Sequence, residues 1–120
     1  MKQEQTKVVT ENVGNAKLFE NDKVAVWAFE LEPGEESALH THERSYMWYT
    51  IQGAPLQIFD EHGSDVGLFE VPTGGVFSLK CEDGVIEVLS DNGKGSTIPA
   101  THKAKNIGKN TYREILVEYK

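Results

Sequence analysis

The segment Gly34-Glu35-Glu36-Ser37-Ala38-Leu39-His40-Thr41-His42 decides how this chain is read. Ser37, Ala38 and Leu39 suit an extended backbone. Side chains two apart on a strand point to the same side of the sheet, so His40 and His42 share a face and Thr41 points away. Two imidazoles at this spacing can chelate one metal ion, each through a ring nitrogen at about 2.0–2.1 Å. If the strand keeps its parity through the bend at 43–45, Tyr46 and Trp48 fall on that face as well.

The surrounding sequence reads as all-β. Turn-forming clusters such as Asn21-Asp22, Pro33-Gly34, Thr73-Gly74-Gly75 and Gly108-Lys109-Asn110 recur along the chain. The segments between them are short and rich in Val, Ile, Phe, Tyr and Trp. Strands are expected at 7–10, 17–20, 24–32, 37–42, 46–51, 55–60, 66–71, 76–80, 84–89, 96–99, 102–106 and 112–119. No segment sustains a helical period over three turns. Short strands at regular spacing indicate a sandwich or a closed barrel. A third histidine, His102, lies in one of these segments. There Lys103 and Lys105 favour water, which turns His102 and the small Ala104 inward. His62, in a turn, is expected to face solvent. In 46–51 both alternating sets of side chains are apolar, so both faces of that strand need cover; one can look into the barrel, and the other is expected to pack on a second sheet or on a partner subunit, which argues for a homodimer.

Length and composition narrow the classes. At 120 residues one domain is the default. A formal charge of -7 disfavours nucleic acid, whose phosphates select for clustered Lys and Arg. The lone Cys81 excludes an intrachain disulfide and reads as a plain thiol on or under a strand. The polar start lacks the apolar stretch of a signal peptide. The longest apolar run, 24–29, is too short to cross a bilayer. A soluble cytoplasmic protein with no membrane partner is the expectation.

These residues resemble the cupin superfamily. Its first motif, G-x5-H-x-H-x3/4-E-x6-G, is matched by Gly34, His40, His42 and Gly53. Its second, G-x5-P-x-G-x2-H-x3-N, is matched by Gly93, Pro99, His102 and Asn106. The resemblance implies an all-β, cupin-type double-stranded β-helix (a jelly-roll barrel) over 21–120, with 1–20 as an N-terminal arm or edge strands. It also implies one divalent transition metal ion (Fe, Zn, Ni, Mn or Cu) held by His40, His42 and His102. The sequence departs from the pattern at two places. Tyr46 stands where the glutamate ligand belongs, as in some small cupins with an H-x-H-x3-Y pattern. Pro99 lies two residues closer to His102 than usual, so the turn before the third histidine is tight. An alternative second motif at 72–77 has Phe77 in the histidine position. The stretch 80–97 then reads as an extra hairpin inserted before the second motif.

The missing carboxylate has a chemical consequence. Three neutral imidazoles leave a divalent ion its full double charge, so it is the stronger Lewis acid, with open positions for a ligand. Tyr46, with a reference pKa near 10, is expected to stay protonated and to orient a bound small molecule. Trp48 is expected to wall the pocket, and Trp27 to be simple core. The leading expectation is a metal-dependent enzyme of dioxygenase type acting on a small polar or anionic molecule. A non-catalytic module that binds a metal or small ligand is the alternative, kept open because no second acid or base is evident on the inward faces. A metal-free isomerase of sugar phosphates or nucleotide sugars ranks third, for want of inward basic residues.

Overall fold

The computed structural model describes residues 12–120; the strand expected at 7–10 lies outside them. These residues form strands and no helix: β1 (Ala16–Glu20), β2 (Val24–Leu31), β3 (His40–Thr41), β4 (Tyr46–Gln52), β5 (Ala54–Asp60), β6 (Asp65–Val71), β7 (Val76–Glu82), β8 (Val85–Val88), β9 (Thr97–Pro99), β10 (Thr101–Asn106) and β11 (Tyr112–Tyr119). None is a helix long and apolar enough to cross a membrane. The strands build two antiparallel sheets. One has the order β1-β2-β11-β4-β7-β8-β9 and the other β3-β10-β5-β6. The apolar core lies between them, with Trp27, Trp48, Leu56, Phe77, Ile86 and Leu116 among its members.

Most strands sit within a residue or two of where their composition places them. The exception is 37–42, which pairs as a strand only at His40–Thr41. Upstream, the chain follows β10 through separate contacts: Ser37 N–H donates to the Ala104 carbonyl at 2.8 Å, and Gly34 N–H to the Asn106 carbonyl at 2.7 Å. Within the stretch 80–97, β8 pairs with β7 on one side and with β9 on the other, and β7 and β8 are joined by the two-residue turn Asp83-Gly84. Both turn residues have positive φ, 55° and 77°, which fits the right-handed twist of the flanking strands.

Two motif residues owe their identity to the backbone. A Cβ on Gly53 would lie 2.1 Å from the Val71 carbonyl oxygen, so only glycine lets β4 turn into β5 there. Asn106 is fully buried. Its amide donates to the carbonyls of Leu31 (2.9 Å) and Asn110 (2.8 Å), and its oxygen accepts from Gly108 N–H. It ties the end of β10 to β2 and closes the turn into β11, so its work is structural.

Candidate metal centre

Antiparallel pairing of β3 with β10 sets His102 directly opposite His40. His42 follows on the inward face, where Thr41 points the other way and bonds Thr101 through its hydroxyl at 2.9 Å. All three imidazoles are buried. Their candidate ligand nitrogens lie within 4.8 Å of one another, close enough for one ion to reach all three. The tight turn at 99–102 does not misdirect the third histidine. It brings the Pro99 carbonyl to 2.7 Å from His102 Nδ1.

A carbonyl only accepts hydrogen bonds, so that contact fixes the proton on Nδ1 and leaves Nε2 with its lone pair. His40 is set the same way, with Nδ1–H donating to the Ala38 carbonyl at 2.9 Å. His42 differs. Its Nδ1 is buried without a partner among the described residues, an orphaned polar atom of the kind that an ion or an ordered water ordinarily satisfies. Burial holds all three imidazoles below their usual pKa, with His102 brought down to about 3. They are therefore neutral near pH 7, the state in which imidazole binds metal. The donor set, its tautomers and its orphaned nitrogen fit a divalent transition metal.

The site opens on a cavity of about 50 Å³ walled by residues that include Val13, Phe29, Tyr46, Trp48 and Glu114. At roughly 10–15 Å³ per water, this is space for about four water-sized groups. Tyr46 stacks on His42, ring centroids 4.2 Å apart and planes 10° from parallel. Burial above all, then Glu114, pushes its phenol well above the usual value, so it stands in the cavity as a neutral hydroxyl. Trp48 walls the cavity and stacks on Phe77, the residue of the alternative second motif, at 4.6 Å. Trp27 lies in the core outside this cavity, its indole N–H donating to Glu118 at 2.9 Å. Cys81 Sγ lies 3.1 Å from the His42 carbonyl, and burial raises its pKa, which disfavours the thiolate. His62 is on an exposed turn.

One expectation is corrected. The inward faces do carry further carboxylates, Glu114 and Glu118, both buried on β11. This strand alternates Arg113, Ile115, Val117 and Tyr119 with Tyr112, Glu114, Leu116 and Glu118. Hydropathy alone favours burying Ile115 and Val117. Pairing with β2 and β4 decides otherwise, because Leu116 sits in one row with Trp27 and Trp48, and this places Glu114 inside. The Tyr112 hydroxyl donates to Glu114. Burial is the main cause that pushes the Glu114 carboxyl up to about 8. Val13 was also missed. It precedes β1 in a segment with no strand pattern, yet it is buried and walls the cavity.

No family model matches this sequence, and no curated protein matches it closely enough to count. Solved structures do. A cupin domain from Bordetella pertussis Tohama I superposes with a TM-score of 0.60 at 19% identity, over 88% of this chain and 90% of that one. A protein with a double-stranded β-helix domain from Klebsiella pneumoniae superposes with a TM-score of 0.53 at 17% identity, over 94% and 78%. A cupin-superfamily sugar phosphate isomerase from Silicibacter pomeroyi gives 0.50 at 18% identity, and this chain spans about half its length (51%). At these identities the likeness concerns architecture, and the two-sheet barrel with its three inward histidines has the cupin fold.

Proposed function

We propose that this chain is a metal-dependent enzyme acting on a small polar or anionic molecule, with oxygenative cleavage as the favoured chemistry. The observation that carries the reading is the convergence of three buried, neutral imidazoles, two of them locked in the Nε2-ligating tautomer, on a cavity that also holds Tyr46 and Glu114. An ion held there supplies Lewis-acid and redox chemistry. The chain supplies the rest. Tyr46 presents a neutral hydroxyl that orients the bound molecule, and Trp48, Leu56 and Ile58 give the space apolar walls. The cavity volume of about 50 Å³ selects a ligand of a few non-hydrogen atoms. The lining argues against the isomerase reading, since no Lys or Arg walls the cavity to receive a sugar's phosphate. A non-catalytic binder is the second reading. It would be favoured by a ligand that stabilises only the metal-loaded protein without turnover.

Metal analysis tests the centre. Wild type is expected to carry about one equivalent of a transition metal after exposure to it, and His42→Ala to lose at least tenfold in affinity by elimination of a ligand. Equal metal in the two proteins would falsify the site. Identification of the metal retained on purification, combined with oxygen uptake on small diketones, thiols and acids, tests the chemistry.

The partner proposed for the outer face of the larger sheet is a second copy of this chain. Pairing registers place Ala28, Ile115, Tyr49 and Val76 in one outward row, and Val26, Val117 and Met47 in the next. This area carries no charge, whereas the chain bears a net -7. Two like-charged copies therefore meet at least cost through it.

A further inference from the structure

The cavity has two sides. Three imidazoles form one, and their nitrogens converge there. The wall contributed by β11 carries Glu114 and Leu116. Glu114 is 6% exposed. One of its oxygens accepts the Tyr112 hydroxyl, and no other hydrogen bond or ion pair engages this carboxyl among the described residues. Glu114 lines the same small cavity as the three histidines. Glu114 lies outside the cluster of atoms that one ion can reach, which consists of His40, His42 and His102 alone among the described residues. It is a carboxyl held near the ligand set without being part of it.

We propose that Glu114 is the acid–base residue of this cavity, the side chain that exchanges a proton with a molecule lying between it and the three histidines. This rests on the metal-dependent reading above. In the acid form, the proton leaves the free carboxyl oxygen for a basic atom of the bound molecule. The carboxylate left behind is stabilised by the Tyr112 hydroxyl. In the opposite direction the carboxylate takes a proton from an acidic O–H, N–H or C–H of that molecule and returns to the acid. The mechanism needs no other co-reactant.

The surroundings suit this role. Tyr112 is itself positioned by its neighbours: it is fully buried and interacts with Thr50, whose hydroxyl accepts the Trp48 indole N–H at 2.9 Å. Trp48, Thr50, Tyr112 and Glu114 thus form a buried polar chain ending at the cavity. The titratable groups that share the cavity with Glu114 are Tyr46 on β4 and the three histidines, and Tyr112 bonds it from its own strand. The walls from β2, β5 and β9 are apolar. No Lys or Arg walls the cavity beside Glu114, and burial favours its protonated form, the form that can donate.

The test uses the cobalt(II)-loaded protein and sodium azide as a probe anion, followed by visible absorption between about pH 6 and pH 9. An anion beside the ion is welcomed by a neutral carboxyl and repelled by a carboxylate. Wild-type affinity for azide is expected to fall by up to about tenfold per pH unit once Glu114 ionises. Glu114→Gln keeps the shape and cannot ionise, so its affinity should vary by less than about threefold over the same range, with cobalt still bound one to one. Glu114→Asp keeps the acid with a shorter reach. It should retain the fall with pH while binding azide more weakly. Superimposed wild-type and Glu114→Gln profiles, loss of cobalt from Glu114→Gln, or a flat profile in Glu114→Asp would each overturn the role of Glu114. Wild type that takes up no cobalt would overturn the metal reading, and this proposal with it.

Discussion

Glu114 is costly to bury, and the cost should be measurable. A carboxyl whose folded pKa is raised to about 8 from 4.5 binds its proton more tightly in the folded chain than in the unfolded one. Below about pH 4.5 both states are protonated and nothing is lost. As pH rises through the window from about 4.5 to about 8 the folded state loses ground, and above it the penalty is constant. At 1.36 kcal/mol per pH unit the full effect is on the order of a few kcal/mol. The buried imidazoles act in the opposite sense. Their folded pKa values are lowered, so stability falls as pH drops below about 6.5. Urea denaturation of metal-stripped wild type and Glu114→Gln at several pH values separates the two contributions, since both proteins share the histidines. The variant is expected to gain on wild type from pH 5 to pH 8 by about 1–3 kcal/mol. A constant difference across that range would contradict the burial argument.

At the scale of elements, the short segment before β1 matters more than its composition suggests. Val13 belongs to the core and walls both the histidine cavity and a neighbouring space of about 170 Å³ lined by Ser37, Ala38 and His40. The segment is pinned to β2: Asn15 N–H donates to the Ala28 carbonyl at 2.8 Å, and the Asn15 side chain accepts from Glu30 N–H. Gly14 permits the close approach. A Cβ there would lie 2.7 Å from the Ala28 carbonyl oxygen and 2.8 Å from Trp27 Cβ. Gly14→Ala should therefore shift Val13 from the cavity wall. The expected result is metal loss to a chelator accelerated by about tenfold, at a stability cost of about 1–2 kcal/mol. An unchanged rate would mean that access to the histidines runs elsewhere. β3 and β10 show the complementary case. Pairing of these two strands, one of them only His40–Thr41, puts His102 opposite His40, and His42 N–H, just past β3, donates to the Ala100 carbonyl at 3.0 Å.

For the whole molecule, the large sheet has two unlike faces. The inner one closes the core. The outer one exposes Tyr49 and Val76 at about half of their full area, 49% and 51%, in rows continued by half-buried Ile115, Val117 and Met47. Contiguous apolar surface of this kind ordinarily marks an interaction site, and a self-complementary patch closes into a two-fold dimer. Sedimentation at micromolar concentration is expected to show a dimer for wild type. Tyr49→Glu should give a monomer with an unchanged circular dichroism spectrum, since Tyr49 contributes little to the core. A monomeric wild type would leave the outer face without this partner.

The all-β architecture and the shared face of His40 and His42 follow from the sequence alone, because period-two alternation and turn chemistry are local properties. His102 was legible for a similar reason, since Lys103 and Lys105 can only face water. Three things required the tertiary structure. The tautomers of His40 and His102 depend on carbonyls that the turns present. Val13 reaches the cavity through a close approach between backbones that leaves no periodic signal. Glu114 points inward because neighbouring strands fix the parity of β11, against the hydropathy of Ile115 and Val117. The segment from Gly34 to His42 therefore determined that two imidazoles face inward. Long-range pairing decided what stands across from them: a third imidazole and a buried carboxyl.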